Sequence, residues 1–294
     1  MRVLIAGSGG LIGRALAGRL RASGHEVRRL VRRTARTADE RGWDPPSGRI
    51  DEGTFDGVEA VVNLCGAPLL PGRWSGMRKQ VLLDSRVEPT EVLAEAVAEH
   101  GVGVMVNASA VGFYGNTGST VVTEDSASGE GFLAGLCRAW ESATTHAVTA
   151  GARVVTARTG LVLAREGGLL NVLRPLARFA LGGRLGNGRQ FMPWISLDDE
   201  IGALQHLLEH DAVSGPVNLT GPAPVTNAEF TRALGQAVHR PAPWWVPAIA
   251  VKTALGQAGE EMALFGQRAL PRRLEESGYD FRHRAVESAL AAAT

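Results

Sequence analysis

Arg2-Val3-Leu4-Ile5-Ala6-Gly7-Ser8-Gly9-Gly10-Leu11-Ile12-Gly13 is a short apolar run that breaks into glycines, after which apolar residues return at helical spacing through Ala15, Leu16 and Leu20. The stretch predicts a strand, a tight turn and a helix reaching about Ser23. Gly24-His25 ends that helix, and 26–31 reads as a second strand, so the first thirty residues predict a βαβ unit. Gly7, Gly10 and Gly13 stand three apart. At that spacing one glycine lets the chain turn, the next lets a pyrophosphate approach the backbone, and the last lets the helix pack on the strand. The free N–H groups and positive dipole end of the helix then attract the anion. The loop is therefore expected to hold a dinucleotide through Gly7, Ser8, Gly10, Leu11, Ile12 and Gly13.

Further along, 58–64, 102–109 and 153–163 repeat the strand signal, with helical patterns between them near 77–99 and 131–149. Strands alternating with helices predict an α/β fold, a Rossmann-type doubly wound parallel sheet. After about residue 165 the pattern turns to helices near 168–181, 197–209 and 227–238, with one more strand at 215–219. The expected division is a dinucleotide-binding domain over 1–165 with a returning segment near 197–222. A smaller, mainly helical substrate lobe then takes 166–196 and 223–294. Thr226 before Glu229 forms a capping-box pattern, and Ser196 before Asp199 a weaker one, because aspartate reaches back less far.

The 31 basic and 30 acidic residues leave a net charge of +1 with no long run of either sign, which points away from nucleic acid and anionic membranes. No apolar stretch reaches the roughly 18 residues of a membrane span. Cys65 and Cys137, the only cysteines, are too few for a disulfide framework and suit a reducing compartment. A cytoplasmic protein is expected, without a metal site, with a small-molecule substrate or an unidentified regulatory protein as partner, and with a homodimer as a possible state.

Where the second strand ends, an acidic residue would suit the ribose hydroxyls of NAD, but the chain has Arg32 and Arg33. Guanidinium forks suit a 2′-phosphate, so NADP (NADPH) is favoured over NAD. The plain alternative is a solvated basic turn, given Arg28, Arg29 and Arg36 nearby.

Several further stretches, in their order and spacing, resemble the atypical extended short-chain dehydrogenase/reductases of the NAD-dependent epimerase/dehydratase-like "epimerase family protein" group. They are Trp43-Asp44-Pro45, Val62-Asn63-Leu64-Cys65-Gly66 with Arg73-Trp74, Ser85-Arg86, and Ser109 to Gly115. Phe132-Leu133-Ala134 with Cys137 and Trp140-Glu141, Arg158-Thr159-Gly160, and Phe191 to Ile195 continue the set, which closes on Gly266-Gln267-Arg268 with Leu270-Pro271. That last element resembles the group's own C-terminal module. The resemblance covers essentially the whole chain. It implies that Leu64, Cys65 and Gly66 lie against the adenosine and ribose, that Gln80, Arg86 and Ser109 contact the cofactor, and that Leu161 and Val162 flank the nicotinamide. For Arg86 the alternative is a helix-surface ion pair.

Ordinary members of this superfamily use a Tyr, a Lys four residues later, and a Ser or Thr that orients the substrate oxygen. Here the only tyrosines are Tyr114 and Tyr279, followed four residues on by Gly118 and His283. Aligning Trp140-Glu141 with the end of the usual catalytic helix puts Leu133 at the Tyr position and Cys137 at the Lys position, so the standard dyad is absent. Ala110 falls where the Ser belongs, with Ser109 one place earlier. Tyr114 and Ser109 are the substitute catalytic candidates, and packing under the loop is the plain reading of Tyr114. Phe191 and Trp194 are expected to line a substrate cleft or to pack in the core. Two functions follow as expectations: hydride transfer between NADP and a small carbonyl or sugar-nucleotide-like substrate, or a non-catalytic NADP(H)-responsive sensor.

Overall fold

The computed structural model describes residues 1–70 and 72–294. Its centre is an eight-stranded sheet built from β1 (Arg2–Ala6), β2 (Glu26–Val31), β3 (Glu40–Asp44), β4 (Arg49–Ile50), β5 (Ala60–Asn63), β6 (Val104–Ala110), β8 (Arg153–Thr159) and β13 (Gly215–Leu219). The order is β13-β8-β6-β5-β1-β2-β3-β4, parallel except for the β3–β4 pair. The chain is thus a Rossmann-type doubly wound α/β protein. Strand order reverses between β1 and β5, and the glycine loop follows β1 at this switch point, where ligands bind in open α/β sheets.

Each face of the sheet is covered. On one, α1 (Leu11–Ala22) and α6 (Leu197–Glu209) bury Leu16, Leu20, Leu204 and Leu207 against Val3, Ile5 and Val155. On the other, α2 (Gly76–Glu99) and α4 (Thr145–Thr149) bury Leu93, Val97 and Ala147 against Leu4, Val61 and Met105. The helix expected over 131–149 is divided into α3 (Phe132–Ser142) and α4. Its break falls where the Thr144 hydroxyl donates to the Glu141 carbonyl and the Thr145 hydroxyl to that of Ser142. Such local hydroxyl bonds compete with the helical ladder.

Short elements make up the rest: β7 (Val121–Val122), β9 (Leu161–Leu163), α5 (Leu170–Arg178), β10 (Gly183–Leu185), β11 (Phe191–Met192), β12 (Trp194–Ser196), β14 (Val225–Thr226), α7 (Asn227–Ala237) and β15 (Trp244–Val246). The C-terminal segment adds α8 (Ala248–Leu255), α9 (Gln257–Gly259) running into a π turn at Glu260–Leu264, β16 (Arg268–Ala269), α10 (Arg272–Glu276) and α11 (Val286–Ala293). Thr226 and Glu229 complete their capping box. Ser196 caps α6 by accepting from the Asp199 N–H and donates its hydroxyl to the buried Asp199 carboxylate, which also accepts from the Arg282 and His283 N–H groups. Among the described residues no helix is long and apolar enough to cross a membrane.

Candidate cofactor and active site

The glycine loop is shaped by the protein at two positions and left open at two. Gly7 has φ +78°, and a Cβ there would stand 2.6 Å from the Leu64 carbonyl carbon; at Gly13 it would stand 2.4 Å from the Gly7 oxygen. At Gly10 the first contact would be 3.4 Å away, and at Gly9 nothing lies within 4 Å. Gly10 caps helix α1 without a side-chain hydrogen bond and no acid stands in its first turn, so the leading N–H groups have no side-chain acceptor. Bare backbone, a dipole end and room for close approach fit a dinucleotide pyrophosphate.

Leu64 and Cys65 are set directly against Gly7, and the Cys65 N–H is fixed by the Asn63 side chain at 3.1 Å. Arg32 follows directly on β2, whose Leu30 pairs with Ala6 at the foot of the glycine loop, so this exposed arginine stands at the same edge of the sheet as the loop. Arg33 is differently employed: its fork grips the Glu40 carboxylate at 2.7 and 2.8 Å, holding that carboxyl down at about 2. Gln80 donates to Asp84 one turn on. Arg86 is no surface ion pair. Its guanidinium lies over the Trp140 ring at 5.1 Å and donates to the carbonyls of Leu82 and Ala67. Its Nε has no partner, and a Cβ on Gly66 would stand 3.4 Å from it. Arg86 therefore braces the Cys65-Gly66 turn from beneath.

A Cβ on Gly112 would meet Leu133 at 3.2 Å and the Cys137 sulfur at 3.9 Å, so both residues face the turn that follows β6. Burial, aided by Glu141, pushes the Cys137 thiol up to about 12, and it points at the Ala110 carbonyl. It stays a thiol at neutral pH.

Both substitute donors have partners within the protein. Ser109 is 3% exposed and donates to Glu141 at 2.6 Å. Glu141 in turn forms a bidentate pair with buried Arg158, Nε–Oε1 2.8 Å and Nη2–Oε2 2.9 Å. Arg158 lies 3.5 Å over the Phe113 ring and donates to the Tyr114 hydroxyl, which itself donates to Asn218 at 2.7 Å. Burial raises the Tyr114 pKa. Tyr114 and Ser109 are thus members of a polar chain under the loop, Ser109 on Glu141 and Tyr114 between Arg158 and Asn218. Glu141 and Arg158, the centre of that chain, carry no signal of pairing in the sequence beyond their types.

Leu161 and Val162 lie on β9, which leaves the main sheet at Gly160 to pair with β12. Trp194 on β12 is 1% exposed, its indole N–H on the Ala223 carbonyl, and packs with Leu163 and Phe230. It is core, not cleft lining. Phe191 is half-buried beneath the Arg268 guanidinium. The C-terminal segment reaches the site elsewhere: Glu261 accepts from the Phe132 and Leu133 N–H groups at 3.0 and 2.8 Å, capping α3 across 129 and 128 residues. Arg73 and Lys79 tie the neighbouring loop and α2 to Thr253, Ala254 and Gln257.

Residues 3–219 match the model of the NAD dependent epimerase/dehydratase family, and 246–293 match a domain of unknown function, DUF1731. The chain belongs to the NAD dependent epimerase/dehydratase family. An epimerase family protein of Mycobacterium leprae is 56% identical over 292 residues, covering 99% of this chain and 95% of its own. The crystal structure of human epimerase family protein SDR39U1 (isoform 2) with NADPH superimposes with a TM-score of 0.90 at 34% identity, over 100% of this chain and 99% of that one. A nucleoside-diphosphate sugar epimerase structure from Corynebacterium glutamicum gives 0.83 at 37% identity, covering 100% of this chain and 58% of that one.

Within this epimerase/dehydratase-family chain the glycine loop separates folding from binding. Gly10→Ala is expected to change stability by less than about 1 kcal/mol, because alanine at an N-cap is only mildly unfavourable. It should weaken dinucleotide binding about tenfold or more by obstructing the pyrophosphate. Gly13→Ala should lose stability as well, since its Cβ has no room. Equal dinucleotide affinity for Gly10→Ala and wild type, by fluorescence titration, would show that Gly10 is not an approach point.

Proposed function

We propose that this protein binds NADP(H) and transfers hydride between its nicotinamide and a small carbonyl or sugar-nucleotide-like substrate. The observation that supports it best is the open, uncapped loop at Gly7 to Gly13 with Arg32 beside it and Arg33 held away by Glu40. The nicotinamide supplies the hydride donor or acceptor. Gly7 to Gly13 would seat the pyrophosphate, Leu64 and Cys65 the adenosine side, and Arg32 the 2′-phosphate. Proton exchange passes through neither Tyr114 nor Cys137, because one is sealed in the Arg158 chain and the other keeps its proton. The free thiols of Cys65 and Cys137 suit the reducing cytoplasm. The human relative with NADPH supports this cofactor choice, and the relatives named as epimerases do not favour the sensing alternative.

The test is a screen of carbonyl compounds and nucleotide-linked sugars for NADPH oxidation or NADP reduction. Turnover is expected, with Arg32→Ala raising the KM for NADPH about tenfold to a hundredfold, the worth of one charge-assisted bond, and sparing NADH. Arg33→Ala should have the smaller effect on NADPH. Tight NADPH binding with no turnover on any substrate would overturn hydride transfer; equal loss with both cofactors would overturn the role of Arg32.

A further inference from the structure

Helix α5 is apolar on both sides. Its inner side buries Leu170 and Ala177, with Leu173 packed beside them, against Phe230 and Leu234 of α7. Its outer side carries Val172 and Leu176, one turn apart, and the exposed band continues through Phe179, 79% exposed, and Leu181. Trp244 joins it: Gly183 is its register partner in the β10–β15 pair, its indole N–H donates to the Ala180 carbonyl at 2.7 Å, and the residue stays exposed. Ala180, the acceptor, sits at φ +56°, a left-handed position strained for residues other than glycine. A surface helix normally turns its apolar side inward and a polar one outward. Large apolar side chains exposed together in one band point to something that covers them.

The charges beside the band are of one sign. No acidic residue occurs in 167–197 or in 239–259, the two stretches that build it, although at the chain's average of 30 in 294 these 52 residues would carry about five. They hold instead Arg174, Arg178, Arg184, Arg189 and Arg240, with Lys252 paired to Glu260 outside them. Arg178 precedes Phe179 at the end of α5 and Arg184 follows Gly183 on β10, both exposed. The overall charge of +1 hides this segregation. The same signs argue against a second copy as the cover: a twofold contact through the band would bring the arginines of one copy close to those of the other, with no acid of the band to offset them.

We propose that this band docks the protein on an anionic phospholipid surface, with Phe179, Leu181 and Trp244 entering the boundary between headgroups and acyl chains and Arg178 and Arg184 meeting lipid phosphates. Exposed aromatic and aliphatic side chains beside arginines are the chemistry of interfacial binding, in which buried apolar area and attraction to anionic lipid add. The protein would lie on the membrane and not span it. This surface is separate from the dinucleotide loop and independent of the proposed reaction.

The test is flotation of the full chain, saturated with NADPH, with vesicles of phosphatidylcholine alone and of phosphatidylcholine and phosphatidylglycerol in equal parts. Flotation is expected with the mixed vesicles only, and it should weaken as salt screens the arginines. Val172→Ser with Phe179→Ser should lower the partition coefficient at least about tenfold. Arg178→Gln with Arg184→Gln should lower it about twentyfold at low salt, at roughly fivefold for each charge near the surface. All four side chains are exposed, so Tm and NADPH affinity should stay at wild-type values. Failure of the wild type to float with the mixed vesicles would overturn the proposal, as would equal flotation with neutral vesicles or indifference to Val172→Ser with Phe179→Ser. A wild-type dimer in sedimentation velocity that the same pair of changes dissolves would assign the band to a second copy instead.

Discussion

Glu200→Gln is expected to abolish a loss of about 3–4 kcal/mol in stability that the wild-type protein suffers between pH 5 and pH 8. Glu200 is 0% exposed; its Oε1 accepts from the Thr159 hydroxyl at 2.8 Å and its Oε2 has no partner. Complete burial pushes its carboxyl from 4.5 up to about 8. Between those values the folded state keeps a proton that the unfolded chain gives up, so each pH unit removes about 1.4 kcal/mol. Stability is therefore fully present below pH 4.5 and lost as pH rises through 8. Glutamine does not titrate, and comparing the change from pH 5 to pH 8 in both proteins cancels the fixed cost of its buried amide. The comparison also cancels His206, whose pKa burial lowers and which acts in the opposite direction. Urea unfolding at the two pH values measures the effect. Parallel pH profiles for variant and wild type would show that Glu200 is solvated or paired in solution.

The second large effect has the opposite sign. Glu141→Ala should destabilise the fold by about 3–5 kcal/mol, the usual cost of stranding a buried charge. Arg158, whose side chain is 4% exposed, would lose both arms of its carboxylate partner. Ser109 would lose the acceptor of its hydroxyl as well. Replacing both charges, as Glu141→Leu with Arg158→Met, should recover much of the loss, because an apolar pair of similar volume needs no desolvation. Chemical denaturation of the single and double variants decides the matter. A single-variant cost below about 1 kcal/mol, or a double variant no better than the single, would mean that solvent reaches the pair.

Legibility in the sequence followed the distance between partners. Gly13 was readable because the atoms that forbid a side chain there lie in the same loop, at Gly7 and Ser8. The Thr226 capping box was readable for the same reason. Tyr114 was open to two readings, since what seals it are Arg158 and Asn218, 44 and 104 residues onward. The partner of Arg33 was hidden because β3 is what brings Glu40 under it. That strand was itself missed, because Glu40-Arg41-Gly42-Trp43-Asp44 is mostly charged and shows no apolar run. Nothing in the sequence singles out Glu200 or Glu261; burial of one and long-range capping by the other exist only in the folded chain.

The Glu261 cap also sets an order of events during synthesis. Domains fold largely as they emerge, amino-terminal parts first. The central sheet has all its strands once Leu219 is out, whereas the first turn of α3, which presents Leu133 toward the Gly112 turn, waits for a carboxylate 129 residues behind Phe132. The glycine loop can therefore ripen early and the first turn of α3 late, so the two ends of the sheet's carboxyl edge are finished at different moments of synthesis.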